Sequence, residues 1–449
     1  MSEPSRAKIR SQPLQIIMNT TEQLSRRHLL SRTLRASAGF ALGGWACASS
    51  TSLANHPSSK ASFSASAEFP VRTITQGPAH HWFGYYDKYQ FDSTNRHVLG
   101  MEVDFEHRSP KPDDEIKLGV IDLEDGDKWR EFGSSTAWGW QQGCMLQWRP
   151  GFDHQVLHND RGEDQFVCRV HDLESGETRT IDHPIYTVSP VGDVAMSADF
   201  RRINDMRPGY GYVGLPDPFT DQLAPEETGV FNVDLNTGNA KLVKSLAEIA
   251  SFGKMPEDTS SAKHYVNHLL FNTDGSRLIF LHRWRFPNSG FRTRMLTIAP
   301  DGSDMRVIDA NGTTSHFIWK NADQILAWSR QQNRGGFYVF QDDVNPAPKI
   351  VGADVMTRDG HCTYVPDTEW IINDTYPDRE RNQTVYLYHP ARDEKLVLGK
   401  FHSPQEYSGE WRCDTHPRVS RDGKSIVIDS PHTGEGRQMH LIDISAIHA

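Results

Sequence analysis

Histidine occupies the same position in four successive segments of the sequence, at His268, His316, His361 and His416. Each stands three residues before an aromatic or branched residue and precedes a polar turn and a second apolar run, as in HLLFNTDGSRLIF. Convergent imidazoles serve as metal ligands, proton carriers or members of a polar network. Cys413 adds a thiol at Cys-x-x-His spacing. We expect a divalent ion bound by His361 and His416 with one or two of His316, His268 and Cys413. Imidazole with thiolate favours Zn²⁺ over Ca²⁺ or Mg²⁺, and the alternatives to Zn²⁺ are Mn²⁺ and Ca²⁺.

These histidines are placed by a repeated hairpin pattern that recurs seven times. Its marker residues are spaced 40 to 57 positions apart, apart from one step of 83: Phe91, Trp148, Val188, Phe271, Trp319, Tyr364 and Val419. Seven further apolar runs alternate with them, and four short strands per unit of this length is typical of a β-propeller blade. The last unit ends at MHLIDIS without a fourth strand, which the run FPVRTITQG near Phe69 can supply. The sequence predicts an all-β, seven-bladed β-propeller closed by an N-terminal strand, over residues 68–449.

Two runs of aromatic and polar residues precede blade strands: HHWFGYYDK from His80 and WGWQQG from Trp138. They either pack between blades or face the channel and stack on sugar rings. The long step of 83 contains a Gly-, Pro- and Tyr-rich insertion after Arg202, and we expect this loop to wall a cleft, because long loops in compact domains are usually functional or disordered. We assign substrate contacts to His81, Trp140, Gln141, Tyr265 and His268.

The motifs FGYYDK, WQQG, Tyr186-x-Val-Ser-Pro and Phe200-Arg201-Arg202 followed by RPGYGY occur in that order, ahead of the histidine blades. Together they resemble the seven-bladed polysaccharide lyases, the ulvan lyases and oligogalacturonate lyases, from about His80 to the end. The resemblance implies β-elimination on an ulvan-like or pectin-like polysaccharide and a metal among the inner-strand histidines. It also implies a tyrosine that carries the proton and, sixteen residues later, an arginine that neutralises the carboxylate. These are Tyr186 and Arg202, which we expect on the innermost and the following strand of the third blade, with His158 and His264 as alternative proton carriers.

The chemistry of β-elimination fits these residue types. The C5 proton of a 4-linked uronate is weakly acidic until its carboxylate is neutralised, which Arg202 or a metal can do. A tyrosine or histidine then takes that proton, and another donor protonates the leaving O4. A neighbouring arginine would lower the pKa of Tyr186 and leave it partly ionised.

Two other function classes fit the same repeat pattern, because propellers host many functions. A carbohydrate- or peptide-binding propeller of the cell envelope would have the same strands and aromatics without needing Tyr186, Arg202 and the histidines. A propeller glycoside hydrolase would need two carboxylates facing the channel, whereas Asp87, Asp160 and Asp205 share no position in the repeat. We expect a lyase whose substrate is an anionic polysaccharide or oligosaccharide.

The first 67 residues differ in character from the repeats. Ser25-Arg26-Arg27-His28-Leu29-Leu30 followed by the apolar run AGFALGGWACA resembles a twin-arginine export signal over residues 1–48. Its apolar core is too short to span a membrane, and residues 49–67 are predicted to be a disordered linker. We therefore expect a periplasmic or secreted monomer. Four cysteines outside the signal could pair there, although their spacing does not require it. With a net charge of −10 and no basic patch, nucleic acid is not an expected partner.

Overall fold

The computed structural model describes residues 64–65, 68–343 and 346–448. The predicted export signal, residues 1–48, lies outside these residues, as does the predicted linker 49–67 except for Ser64 and Ala65. The first described elements are two short strands, β1 (Ser64–Ala65) and β2 (Val71–Thr73). None of the helices in the described residues is long and apolar enough to cross a membrane.

Seven antiparallel sheets follow one another along the described residues, which confirms the predicted seven-bladed β-propeller. The strands of blades 1 to 3, from the innermost outwards, are β3 (His80–Trp82), β4 (His97–Val103), β5 (Ile116–Asp122) and β6 (Lys128–Ser135); β7 (Gln147–Trp148), β8 (Gln155–Arg161), β9 (Phe166–Asp172) and β10 (Thr178–Ile181); and β11 (Thr187–Val188), β12 (Val194–Ala198), β13 (Gly229–Asp234) and β14 (Ala240–Ser245). Those of blades 4 and 5 are β15 (Lys263–Phe271), β16 (Leu278–Arg285), β17 (Phe291–Ile298) and β18 (Arg306–Gly312); and β19 (Phe317–Trp319), β20 (Gln324–Gln331), β21 (Arg334–Gln341) and β22 (Lys349–Val351). Those of blades 6 and 7 are β23 (Thr363–Tyr364), β24 (Ile371–Asn373), β25 (Asn382–His389) and β26 (Glu394–His402); and β27 (Arg418–Val419), β28 (Ser425–Ser430) and β29 (Gln438–Asp443).

The N-terminal strand closes the ring as predicted. Strand β2 pairs antiparallel with β29, placing Val71 opposite Ile442 and Thr73 opposite His440, so it is the fourth strand of blade 7. Strand β1 extends blade 6 as a fifth strand beside β26. Two residues of the predicted linker, Ser64 and Ala65, are therefore part of a sheet.

The marker residues of the repeat identify the innermost strands. Six of the seven lie in the innermost strand of their blade, and Phe91 forms an isolated bridge with Val98 beyond β3. His268 lies in β15, and the other three histidines of the series come one or two residues before β19, β23 and β27. The repeated histidine position therefore lies on the channel side of blades 4 to 7.

The hydrophobic core lies between neighbouring blades. Ile279, Leu281 and Met295 of blade 4, for example, pack in one cluster with Phe317 and Trp319 of blade 5. Burying each such side chain contributes about 1.5–3 kcal/mol. Because every interface between blades is filled in this way, the innermost strands are held rigidly around the channel.

Two α-helices in the described residues flank blade 3. Helix α1 (Phe200–Met206) begins after Asp199, whose side chain accepts from the Arg201 N–H, and helix α2 (Leu246–Ser251) begins with a capping box of Ser245 and Glu248. Two 3-10 helices cover Gly409–Trp411 and Ser445–His448. Arg202 lies in α1, so the prediction that it follows Tyr186 on a strand is wrong.

Candidate active site

The four histidines of the series lie together at the channel, as the shared position predicted. The ring centroids of His316 and His361 are 4.2 Å apart, and those of His361 and His416 are also 4.2 Å apart. His268 joins them through Tyr85, whose ring lies 5.0 Å from His268 and 5.1 Å from His416. All four imidazoles are buried.

The segment that follows β3 crosses the channel and supplies this tyrosine. The next residue, Tyr86, reaches blade 5, where its hydroxyl donates to Phe317 O and accepts from the Phe317 N–H. Asp87 and Lys88 form a buried ion pair at 2.7 Å. Tyr85 and Tyr86 of this aromatic run therefore face the channel, and the hydroxyl of Tyr85 is buried without a hydrogen-bond partner.

Three side chains present converging metal-ligand atoms, and they are His361, Asp414 and His416. Their ligand atoms lie within 4.8 Å of one another. Nε2 of both histidines and Oδ1 of Asp414 are buried without a hydrogen-bond partner. Because buried polar atoms are rarely left unpartnered, these three atoms fit a divalent cation.

Residues around the triad hold its ligands in place. Asp374 accepts from Nδ1 of His361 at 3.0 Å, which leaves Nε2 of that ring as a lone-pair donor. Burial would lower the pKa of His361, but Asp374 outweighs burial and raises it. Burial lowers the pKa of His416 well below its usual value. Arg412 donates from Nε to Oδ2 of Asp414 at 2.6 Å and so orients the carboxylate.

Cys413 is not a member of the triad, so the predicted thiolate ligand is replaced by the adjacent Asp414. Burial raises the pKa of the Cys413 thiol, which disfavours the thiolate form that binds metals. Cys413 and the three other cysteines of the described residues are free and buried. Two imidazoles and one carboxylate suit Zn²⁺ or Mn²⁺ and are unlike the all-oxygen sites of Ca²⁺. This set of ligands therefore gives no reason to prefer zinc over manganese.

His316 lies beside the triad and has a carboxylate partner of its own. Its Nδ1 bonds Asp359 Oδ1 at 2.9 Å, so Nε2 carries the lone pair. That Nε2 lies 3.5 Å from the hydroxyl of Tyr376. Burial lowers the pKa of His316, so the ring is neutral near pH 7. A neutral imidazole held by a carboxylate is suited to accept a proton.

His268 is held by Tyr186 in an uncommon backbone conformation. Its φ is +53°, at a β-bulge of β15, and its N–H donates to the Tyr186 hydroxyl at 2.9 Å. That hydroxyl donates to Gln142 Oε1 at 2.7 Å, so the amide NH₂ of Gln142 faces His268 Nδ1 at 3.4 Å. The neutral ring of His268 therefore carries its proton on Nε2.

Tyr186 does not have the character predicted for a partly ionised tyrosine. Burial raises its pKa well above the usual value, and the fully buried phenol stays protonated. Its ring stacks on Phe200 at 5.6 Å. Tyr186 thus positions His268 and is not placed as a phenolate.

Arg202 is fully occupied by contacts within the protein. Nε donates to His264 O, Nη1 to Asp217 Oδ2 and Phe219 O, and Nη2 to Gln222 O and Leu223 O. These bonds use all five donors of a guanidinium. Arg202 therefore fastens the insertion that follows α1 and has no donor left for a substrate carboxylate.

Arg207 is the arginine that the insertion leaves available. Its Nη1 is buried without a partner, while Nη2 donates to the Tyr210 hydroxyl at 3.1 Å. Tyr210 also accepts from Arg412 at 2.6 Å, and its ring centroid lies 5.6 Å from that of His268. Burial lowers the pKa of His268, and the positive charge of Arg207 is the next largest effect in the same direction. The insertion thus places Arg207 beside the histidines, and its Tyr210 bonds a second guanidinium, that of Arg412.

Four of the remaining predicted site residues divide into two groups. Tyr265 and Gln141 adjoin the site: the Tyr265 hydroxyl is buried and unpartnered, and Gln141 donates to the carbonyls of Glu410 and Arg412. His158 and His264 bond elsewhere, to Asn159 O and to the His282 ring, and burial lowers the pKa of each to about 4.

Two further predicted substrate contacts have partners within the protein. His81 bonds Gln438 and Glu102 and lines a cavity of about 350 Å³ between blades 7 and 1. Trp140 packs against Trp82 and donates to Arg108 O. Both serve the packing of blade 1.

Several site residues were not predicted from the sequence: Tyr85, Arg207, Asp359, Asp374, Tyr376, Arg412 and Asp414. Asp414-x-His416 is a usable signal, because alternate residues of an extended segment face the same side. The partners Asp359 and Asp374 had no such signal, since they reach His316 and His361 from 43 and 13 residues away.

No protein family model matches this chain, and no curated protein matches it either. Among solved structures, the chain is similar to an oligogalacturonate lyase from Vibrio parahaemolyticus, with 14% identity over 83% of this chain and 93% of that one and a TM-score of 0.58. It is also similar to the β-propeller domain of the Trilobed protease from Pyrococcus furiosus, with 9% identity over 81% and 96% and a TM-score of 0.48. TolB from Acinetobacter baumannii has 11% identity over 66% and 61% and a TM-score of 0.37. At these identities the similarity concerns the propeller fold.

Proposed function

We propose that the protein is a polysaccharide lyase that cleaves uronate-containing oligosaccharides by β-elimination at the channel site. One observation carries the proposal: the ligand atoms of His361, Asp414 and His416 converge without partners, and Nη1 of Arg207, whose charge acts on the adjoining His268, is also unpartnered. Cations gathered around a buried point match the carboxylate of a uronate. An oligogalacturonate lyase shares the fold, so oligogalacturonates are the first substrates to test.

The carboxylate must be neutralised before the C5 proton becomes acidic. Arg207 is placed to bind one carboxylate oxygen through Nη1 and to stabilise the enediolate as its charge develops. A divalent ion held by the triad would act there as a Lewis acid. Arg412 keeps Asp414 oriented and adds positive charge near the same point.

Proton transfer is assigned to two histidines. His316 takes the C5 proton on Nε2, since Asp359 holds its Nδ1–H and stabilises the imidazolium that forms. The C4–O4 bond breaks as the C4=C5 double bond forms, and O4 leaves with the electron pair. The Nε2–H of His268 donates to that oxygen. Tyr186 and Gln142 hold His268 in the tautomer that this step needs.

The carboxylates of the channel argue against a hydrolase. Asp374 accepts from His361 and Thr415, Asp359 from His316, and Asp414 from Arg412. A glycoside hydrolase needs two carboxylates, an acid and a base, on the two sides of the glycosidic bond. These three carboxylates already bond the histidines and Arg412.

Ultraviolet absorbance tests the reaction directly, because elimination creates a conjugated double bond. Incubation with the purified protein should raise the ultraviolet absorbance of an oligogalacturonate solution. Solutions of other uronate polymers should respond in the same way if the polymer fits the channel site. Chelator should abolish the rise, and Zn²⁺ or Mn²⁺ should restore it. New reducing ends without absorbance would identify a hydrolase, and binding without either change would identify a carbohydrate-binding propeller.

Arg207→Met tests the assigned carboxylate contact. Loss of one fixed cation at the developing charge should lower turnover by about a hundredfold or more and weaken substrate binding. Arg201→Met is the matched control, because this nearby arginine in α1 bonds Asp199. Equal effects of the two substitutions would contradict the role of Arg207.

The export signal expected at residues 1–48 supports a location outside the cytoplasm. We propose that the lyase acts in the periplasm or after secretion, where oligouronates released from larger polymers are accessible. Cell fractionation that recovers the protein only from the cytoplasm would contradict this.

A further inference from the structure

A second group of unpartnered polar side chains lies on one face of the β15–β16 hairpin. The atoms are the Tyr265 hydroxyl, Oδ1 and Nδ2 of Asn267, and Nε and Nη1 of Arg283. Tyr265 and Asn267 have no exposed surface, and Arg283 is 2% exposed. Since nearly all buried polar atoms in proteins have a partner, five such atoms on three neighbouring residues indicate a site for a ligand.

The strand register brings these side chains to the same face. Tyr265 is directly opposite Arg283, and Asn267 is opposite Leu281. Residues that are opposite, or two apart on one strand, share a face. Asn267 is therefore diagonal to Arg283, within reach of its long side chain. The neighbouring residues His264 and His282 belong to the opposite face.

The charge of Arg283 has no counterion among the described residues. Three other buried arginines pair with carboxylates: Arg277 with Asp342, Arg418 with Asp429 and Arg437 with Glu106. The guanidinium of Arg283 makes a cation–π contact with Phe291, 4.6 Å from the centroid of that ring. A buried charge without a partner is unfavourable in free energy. Binding of an anionic ligand beside Arg283 would remove this unfavourable contribution.

The group adjoins the channel site through Phe291 and Arg207. The guanidinium of Arg207 lies 4.8 Å from the same Phe291 ring, so the two arginines are neighbours. The Phe291 side is open to solvent, with the ring 43% exposed. Burial raises the pKa of Tyr265, and the positive charge of Arg207, the next largest effect, lowers it.

We propose that Arg283, Asn267 and Tyr265 form a second carboxylate pocket, which binds the acidic group of the sugar next to the one that reacts at Arg207. Arg283 supplies two donors, and the amide and phenol supply the rest, as suits the two oxygens of a carboxylate. The substrate class is then an oligosaccharide with two consecutive uronates. This inference rests on the proposed function, since it takes the Arg207 side as the reacting position.

Calorimetric binding of galacturonate and digalacturonate to the metal-loaded protein tests the pocket without requiring turnover. Digalacturonate should bind at least about tenfold more tightly than galacturonate, because its second carboxylate forms charge-assisted hydrogen bonds with Arg283. Arg283→Met should reduce that ratio to within twofold. Arg292→Met, which removes an exposed charge from the neighbouring strand at an ion pair with Glu257, should keep it.

Thermal unfolding separates a ligand site from a structural role. Arg283→Met should not lower the unfolding temperature of the ligand-free protein, because it removes no hydrogen bond or ion pair within the described residues, and Met can still pack on Phe291. Asn267→Asp places a carboxylate diagonal to Arg283, so it should raise the unfolding temperature and also abolish the preference for digalacturonate. This second variant keeps the test valid if Arg283→Met folds poorly.

The outcomes separate the pocket from the reaction. A preference for digalacturonate that is lost in Arg283→Met, without any absorbance change during incubation, would support the pocket and overturn the lyase. Turnover by the wild-type protein with equal affinity for both ligands would overturn the pocket alone. A preference that survives both Arg283→Met and Asn267→Asp would also overturn it, and no binding of either sugar would overturn both proposals.

Discussion

The β15–β16 hairpin carries polar residues on both faces, and the faces differ in whether those residues have partners. On one face His264 Nδ1 bonds His282 Nε2 at 2.9 Å, and His282 Nδ1 accepts from Arg294. Arg294 in turn donates to the carbonyls of Phe252 and Ile249 at the end of α2. The other face holds the unpartnered Tyr265, Asn267 and Arg283.

The same contrast separates two arginines five residues apart. All five donors of Arg202 are used within the protein, and Arg207 keeps an unpartnered Nη1 next to the histidines. The polar side chains on the two faces of the hairpin are equally buried, so burial by itself does not identify function. A completed network stabilises the fold, whereas buried groups without partners reserve binding capacity for a ligand.

Substitution of a metal ligand should have the largest effect. His416→Gln removes one of the three converging atoms, so metal content by elemental analysis should fall below about a tenth of an equivalent and turnover by about 10²–10³-fold. His264→Gln, on the partnered face, should keep its metal. A full equivalent of metal in His416→Gln would break the distinction between the two groups.

Loss of the completed Arg202 network should be the largest effect on stability. Arg202→Met leaves Asp217 buried without its partner, so the free energy of unfolding should fall by about 3–5 kcal/mol in denaturant titration. Arg207→Met should change it by less than about 1 kcal/mol. A stable Arg202→Met protein with strongly reduced turnover would return the catalytic role to Arg202.

Acid should destabilise another completed network, around Glu106. Burial would raise the pKa of Glu106, but bonds with His80, Arg437 and Tyr407 outweigh it and lower the pKa from 4.5 to about 2. A lowered carboxyl pKa contributes stability that is present above pH 4.5 and lost as the pH falls towards 2, here on the order of 2–3 kcal/mol. Glu106→Gln should remove this part of the pH dependence in unfolding experiments between pH 5 and 2. An unchanged curve would show that the network does not stabilise the folded state.

Tyr186→Phe should have the smallest effect, because Tyr186 positions His268 and does not transfer the proton. Loss of its two hydrogen bonds should cost about 1–2 kcal/mol of stability and about tenfold in turnover, with an unchanged pH profile. A loss of 10³-fold or more, together with a changed pH profile, would instead make Tyr186 the proton carrier.

Much of the candidate site was predictable only in outline. The histidine position was correct because each copy precedes or lies in an innermost strand, and equivalent strands meet at the channel. Cys413 was preferred to Asp414 because Cys-x-x-His is a known ligand spacing, but the spacing does not say which side chain faces His361. Tyr186 and Arg202 were given roles by resemblance, and their hydrogen-bond partners lie 15 to 82 residues away.

The sequence by itself determined the seven-bladed propeller, its N-terminal closing strand and the convergence of four histidines. These follow from short-range alternation, turn residues and a regular repeat, which act the same way in every blade. Only the tertiary structure decided that Asp414 completes the triad, that Arg202 is consumed within the protein and that Arg207 and Arg283 are left available. Whether a polar group has a partner depends on residues brought from other blades and from the insertion, and no local pattern in the chain encodes that geometry.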